Sequence, residues 1–234
     1  MKNIIVQYQI DVNKYSDPTY NNLYPAKIND YSLISFQEYA KKYNCEFVRI
    51  TEPKINYKHP TWERFDLWLD PYWTDKYDQI LYVDTDVIAG PFAPNIFQHG
   101  LRDDSFKAAR YDRYRSKTKE WHIENNKNTI FQSIDPEVCK NIRFQTGCFI
   151  INKKCRDTML ETVKKYREFD VDDGQVLNWM VMSSGVPYED LDASYNVKWR
   201  GPINKENFLH CAGGKKHKMN ASIYNWLHIQ WPTV

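Results

Sequence analysis

The run Tyr77-Asp-Gln-Ile-Leu-Tyr-Val-Asp84-Thr85-Asp86-Val-Ile88 constrains this chain more than any other stretch. Ile80 to Val83 is uninterrupted apolar sequence bounded by polar residues, the pattern of a strand buried on both faces of a sheet. It stops abruptly on Asp84 and Asp86. In extended backbone, residues two apart share a side, so both carboxylates are expected to reach one point beyond the strand end. Open α/β sheets bind their ligands at that end. Two carboxylates held close repel each other unless a cation or a shared proton relieves them. A hard divalent ion shared between carboxylates and substrate phosphates meets that need. Asp-x-Asp is also common in turns and solvated loops; its place directly after a buried strand is what favours a metal site.

The rest of the chain can be arranged around this strand. Ile4 to Tyr8 reads as a first strand, and the Asn-, Asp- and Pro-rich segment from Asp11 to Lys27 as a loop. Asn29 or Asp30 can cap a helix running to about Tyr43, with Leu33, Phe36, Ala40 and Tyr43 on one face. Phe47 to Ile50 supplies a second strand, and strand, helix, strand opens a doubly wound sheet. Thr61 can cap a helix through Trp68 that Asp70-Pro71 stops. Phe106 to Ala109 is a further short strand. Arg113 to Asn128, charged and without apolar periodicity, reads as a solvated loop, with a flap over a phosphate-rich site as the alternative. Phe144 to Asn152 is a second strong strand. It is followed by a helix carrying Met159, Leu160, Val163 and Tyr166, and then by a buried helix opening at Asp172-Asp173-Gly174-Gln175. The fold class expected is α/β, a mixed, mainly parallel central sheet flanked by helices.

The whole sequence sets outer limits. Its 234 residues are enough for one well-buried domain. That domain is expected to span 1–234. A net charge of +2 carries no field that would attract nucleic acid. The five cysteines are scattered and odd in number, which favours free thiols in a reducing compartment. No stretch approaches the ~20 apolar residues of a membrane helix, and the N-terminal apolar run is too short for a signal peptide. The expectation is a soluble, cytoplasmic protein.

Four groups of residues share their order and spacing with one family. They are Arg64-Phe-x-Leu-Trp68 upstream of Asp84-Thr-Asp86; Phe144-x-x-Gly147-x-x-Ile-Ile-Asn152; Asp173-x-x-x-Leu177-Asn178; and His210-x-x-Gly213-x-x-Lys216. Together they resemble the glycosyltransferase family of glycogenin and the bacterial galactosyltransferases (glycosyltransferase family 8), which has a GT-A fold. The resemblance runs from the first strand to about Lys216 and implies a nucleotide-binding part at about 1–112 and an acceptor and C-terminal part at about 113–234. It implies metal-dependent, retaining transfer of a sugar from a nucleotide-diphosphate sugar, a UDP-sugar, to a hydroxyl of a glycan, protein or small-molecule acceptor. By that resemblance Asp84, Asp86 and His210 hold the metal. A mixed oxygen and imidazole set suits Mn²⁺, with Mg²⁺ the alternative. Tyr8, Arg64, Asp84, Thr85, Gln145, Gly213 and Lys216 would contact the donor, with Tyr8 against the base and Lys216 on the diphosphate. Asp173, Gln175 and Asp172 are the catalytic candidates.

Two positions depart from the family pattern. Gly174 stands where the family often carries Gln, with Gln175 one position later, and His217-Lys218 replaces the usual Pro-Trp after Lys216. Asp172-x-x-Gln175 also has the spacing of a helix capping box, a purely structural role. The competing readings are a nucleotidyltransferase on a similar fold and a nucleotide-sugar-binding protein without turnover. The first should carry a Gly-rich phosphate loop after the first strand, yet Tyr8 to Tyr20 contains no Gly.

Overall fold

The computed structural model describes residues 1–11, 14, 27–57, 59–99, 104–110, 144–166, 173–198 and 207–211, without the side chains of Thr74, Arg110, Tyr166, Gln175 and Lys198. The expected central strand, β3 (Gln79–Val83), is buried at every position. It lies third in a six-stranded sheet ordered β2 (Glu46–Ile50), β1 (Asn3–Tyr8), β3, β6 (Phe144–Asn152), β5 (Phe106–Arg110), β7 (Tyr188–Leu191). β1 pairs in parallel with both β2 and β3, and β5 with β7. Only β6 runs against its neighbours, antiparallel to β3 and to β5. A second, three-stranded sheet joins β4 (Val87–Ala89), β9 (Phe208–His210) and β8 (Val197–Lys198). The architecture is the mixed, mainly parallel sheet flanked by helices that the sequence predicts.

Both faces of the main sheet are covered, which explains its nearly all-apolar strands. On one face Ile5, Leu81, Val83 and Ile150 pack with Phe36, Tyr39 and Ala40 of α1 (Ile28–Lys42) and with Val87, Ala89 and Phe208 of the small sheet. On the other, Tyr8, Tyr82 and Phe149 pack with Phe65, Trp68, Met159 and Trp179. The elements there are a 3₁₀ helix (Pro60–Phe65), α2 (Asp66–Leu69), α3 (Pro71–Lys76), α4 (Lys153–Tyr166) and α5 (Asp173–Ser184). The rings of Tyr82 and Phe149 stack 4.7 Å apart, and Trp68 lies 5.7 Å from Phe149. Aromatic pairs at such separations add to the area they bury.

Three local expectations are corrected. α1 begins at Ile28, and no side chain caps it. Its buried face includes Ser32 and Ser35, with Leu33 only half-buried, because those hydroxyls bond the β4 backbone: Ser32 Oγ donates to Val87 O and Ser35 Oγ accepts from Ala89 N. His59, not Thr61, caps the 3₁₀ helix. Asp70-Pro71 ends α2 but also starts α3, with Asp70 Oδ1 accepting from Tyr72 N at 2.9 Å. Cys45, Cys148 and Cys155 are free, and among the described residues no helix is long and apolar enough to cross a membrane. The Arg113–Asn128 loop and Cys139 lie outside the described residues.

Candidate active site

The chain leaves the sheet after Val83, and Asp84-Thr85-Asp86 is not extended. Val87 N donates back to Asp84 O at 3.1 Å, closing a turn between β3 and β4. It is this turn, rather than strand alternation, that brings the two carboxylates together. The antiparallel pairing of β4 with β9 sets Val87 opposite His210, and Cys211 N donates to Asp86 O at 2.8 Å. One ligand atom from each of Asp84, Asp86 and His210 therefore lies within 4.8 Å of the others. His210 Nε2 is 3.4 Å from Asp86 Oδ1 and 3.9 Å from Asp84 Oδ2. Asp86 and His210 are only 4% and 6% exposed, whereas Asp84 is half-buried.

The donor set fits a divalent ion. Two carboxylates and an imidazole nitrogen facing one point gather negative charge and oxygen and nitrogen ligand atoms there. A hard or borderline cation that accepts oxygen and imidazole ligands answers that charge.

Because β6 runs antiparallel, its first residues lie at the same edge as the end of β3. Asp84 N donates to Gly147 O at 2.8 Å, and Cys148 is in register with Val83. This explains the glycine of Phe144-x-x-Gly147. A Cβ there would stand 2.4 Å from His210 Cε1 and 3.0 Å from Asp84 Oδ2, a contact no real side chain makes. Gln145 is 8% exposed, and its Oε1 lies 3.2 Å from His210 Nδ1.

A second charged group adjoins the first. Arg64, 3% exposed, donates through Nε to Thr61 O at 2.8 Å and through Nη1 to Thr146 O at 3.0 Å. Its Nη2 is 2.7 Å from Asp173 Oδ2 and 3.7 Å from Asp84 Oδ1. The guanidinium also lies 5.0 Å over the Tyr82 ring. Tyr82 donates its hydroxyl to Asp84 Oδ1. Burial pushes that phenol well above its ordinary pKa, with Arg64 pulling down and Asp84 pushing up, so it remains a protonated donor. Glu63, which could have competed for Arg64, accepts instead from Lys54 N and Ile55 N at 2.7 and 2.9 Å.

The remaining sequence candidates fall as follows. Asp173 is the first residue of α5, and Gln175 lies in its first turn. Thr85 is half-buried in the turn itself. Tyr8 is only 8% exposed, and its hydroxyl donates to Asp66 Oδ2 at 3.0 Å. Asp172, Gly213 and Lys216 lie outside the described residues. The sequence left three neighbours without a role: Tyr82, Gly147 and Asn196. Tyr82 and Gly147 sat inside quoted motifs, and their proximity to Asp84 needed only the strand pairing. Asn196 carried no sequence signal, since β8 brings it to His210 through tertiary pairing alone.

No protein-family model matches the chain, and a search of curated sequences finds no significant relative. Solved structures do match. A glycosyltransferase involved in glycosylation of the major capsid of PBCV-1 aligns over 93% of this chain and 96% of its own, at 12% identity and TM-score 0.57. The galactosyltransferase LgtC, in complex with donor and acceptor sugar analogs, aligns over 99% and 97%, at 16% identity and TM-score 0.50. The fold is GT-A. The inositol-1-phosphate CTP transferase from T. maritima matches as well, over 100% of this chain and 98% of its own, at 14% identity and TM-score 0.53. A GT-A-like sheet is thus compatible with sugar transfer and with nucleotidyl transfer, and the choice falls to the site.

Proposed function

We propose that the protein is a metal-dependent glycosyltransferase that moves a sugar from a UDP-sugar to a hydroxyl acceptor with retention of anomeric configuration. The observation that carries this reading is the convergence of Asp84, Asp86 and His210 Nε2 on one point, beside the paired Arg64 and Asp173. Asp84, Asp86 and His210 would hold the ion, Mn²⁺ from the mixed donor set and Mg²⁺ as the alternative. When bound, the ion supplies Lewis-acid stabilisation of charge growing on a diphosphate leaving group.

The chain's own residues would then divide the remaining work. Tyr82 and Arg64 fix Asp84 from the side away from His210, so the ligand oxygen facing the shared point is held in place before any ligand arrives. Preorganised groups of this kind need no reorganisation at the moment of reaction. Asp173 sits against a guanidinium at 2.7 Å. A carboxylate neutralised in this way is suited to accept hydrogen bonds from sugar hydroxyls and poorly suited to take a proton from an acceptor. That supports retention, since an inverting enzyme needs a free base on the opposite face. Lys216 and Gly213 would meet the diphosphate, Thr85 and Gln145 the donor, and Gln175 and Asp172 the sugar. Tyr8 would pack against the base.

Nucleotidyl transfer is the second reading, kept because a CTP transferase shares the fold. The absence of Gly from Tyr8 to Tyr20 weighs against it. A thermal-shift screen of nucleotides and nucleotide sugars, with and without Mn²⁺, separates the two, because a ligand bound to the native state raises its melting temperature. We expect UDP-sugars to stabilise the protein only with Mn²⁺, and the stabilising donor to lose its sugar to an added hydroxyl acceptor. Stabilisation by a nucleoside triphosphate with release of pyrophosphate would favour nucleotidyl transfer.

A further inference from the structure

His210 touches protein on both sides of its ring. Nε2 faces Asp84 and Asp86, and Nδ1 lies 2.8 Å from Asn196 Oδ1 and 3.2 Å from Gln145 Oε1. The orientation of the Asn196 amide is determined independently. Its Nδ2 donates to the backbone carbonyl of Gln145 at 3.3 Å, and a carbonyl can only accept, so the Oδ1 end is the one turned to His210. An amide oxygen cannot donate either. A 2.8 Å contact between it and a ring nitrogen therefore requires the proton to be on Nδ1. Asn196 is 5% exposed, which leaves little room for water to take over this bond.

We infer that Asn196 is a positioning residue that fixes the tautomer of His210, holding the proton on Nδ1 and turning the Nε2 lone pair to the point shared with Asp84 and Asp86. The inference rests on reading that point as a metal site. Backbone pairing delivers the side chain. Asp192 Oδ1 accepts from Ser194 N at 2.8 Å and starts the 3₁₀ helix Ala193–Asn196. The helix runs straight into β8, whose Lys198 pairs in parallel with His210. Gln145 contributes twice, as the second oxygen facing Nδ1 and as the carbonyl that orients Asn196. Partners of this kind orient metal-binding imidazoles, and losing one typically costs about 10–100-fold in metal affinity.

The test compares wild type, Asn196→Leu and Asn196→Asp, the last keeping an acceptor oxygen. Imidazole ¹⁵N NMR reads the tautomer, and electron paramagnetic resonance of free Mn²⁺ reads the affinity. We expect wild-type His210 to carry its proton on Nδ1. Asn196→Leu should lose that preference and weaken Mn²⁺ binding by roughly 10–100-fold, and Asn196→Asp should restore both. A wild-type proton on Nε2, or unchanged Mn²⁺ affinity in a folded Asn196→Leu protein, overturns the inference. If Asn196→Leu does not fold, the wild-type tautomer and Asn196→Asp carry the test, and loss of Nδ1–H in Asn196→Asp is again an overturning result. If wild type binds no Mn²⁺, the metal reading fails, while its imidazole spectrum still decides the role of Asn196.

Discussion

Two tyrosines on neighbouring parallel strands, with ring centroids 6.4 Å apart, each donate to a carboxylate, and the two carboxylates have different surroundings. Tyr8 donates to Asp66 Oδ2 at 3.0 Å, and Trp73 Nε1 reaches the same oxygen at 3.0 Å. Both donors are uncharged. Burial pushes the Tyr8 phenol well above its ordinary pKa, and Asp66 adds to the push. Burial also raises the Asp66 carboxyl, with the bonds from Trp73 and Tyr8 pulling it back. Tyr82 donates to Asp84 Oδ1 in a similar way, but Asp84 Oδ2 faces His210 Nε2, which also faces Asp86 Oδ1. The Asp66 cluster is donor against acceptor. With the His210 proton on Nδ1, the Asp84 cluster is acceptor against acceptor on one side. A buried acid surrounded by donors is a structural anchor; one whose second oxygen meets a lone pair calls for a cation.

The largest effect expected from breaking this contrast is that of Asp86→Asn. It removes one charge from the acceptor-only side, and turnover in a transfer assay should fall by at least the ~10²–10³-fold typical of losing one electrostatic stabiliser. The melting temperature should hold or rise, because a repulsion is relieved; a large drop would mean that Asp86 is structural, like Asp66. Gly147→Ala comes next. Its Cβ would collide with His210 and Asp84, so Mn²⁺ affinity should fall, with a stability loss of about 1–3 kcal/mol from overpacking measurable by denaturant titration.

Asp173→Asn should have a smaller effect. With Arg64 holding the carboxylate, we expect a raised KM and a moderate loss of kcat, well short of the ~10²–10⁴-fold of a lost general base. A collapse of kcat with donor affinity unchanged would reassign Asp173 as that base.

The smallest effect is at the anchor itself. The Asp66 carboxyl has a folded-state pKa above its unfolded value, so its stability contribution is fully present at acid pH below the unfolded value. It is lost as pH rises through the folded value. Asp66→Asn stays neutral throughout. Its melting temperature relative to wild type should therefore climb as pH rises through the carboxylate range, while Mn²⁺ affinity stays unchanged. A flat difference would contradict the desolvation account.

Much of this layout was legible in the sequence where burial wrote it there. The apolar runs Ile80–Val83 and Phe149–Ile151 are strands because both sheet faces are covered, and the order of Asp84, Asp86 and His210 anticipated the cluster. The means of convergence was not legible. Whether Asp84-Thr85-Asp86 is extended or turned depends on the Val87 bond back to Asp84 O and on the pairing of β4 with β9, which involves residues far away in the chain. The closeness of Gly147 follows from the reversed direction of β6, which apolar content does not encode. Ser32 and Ser35 broke the apolar face expected of α1 because they bond the β4 backbone. The bonds from Tyr8 and Trp73 to Asp66 were not legible either, since Asp66 and Trp73 lie on helices whose boundaries Asp70-Pro71 only half revealed.

Calorimetry of UDP binding, with Mn²⁺ and with a chelator, in wild type and in Asp86→Asn, tests the central claim most directly. The account predicts that wild type binds UDP only with Mn²⁺ and that Asp86→Asn loses this binding while remaining folded. Tight binding of UDP by Asp86→Asn in the presence of chelator would contradict it.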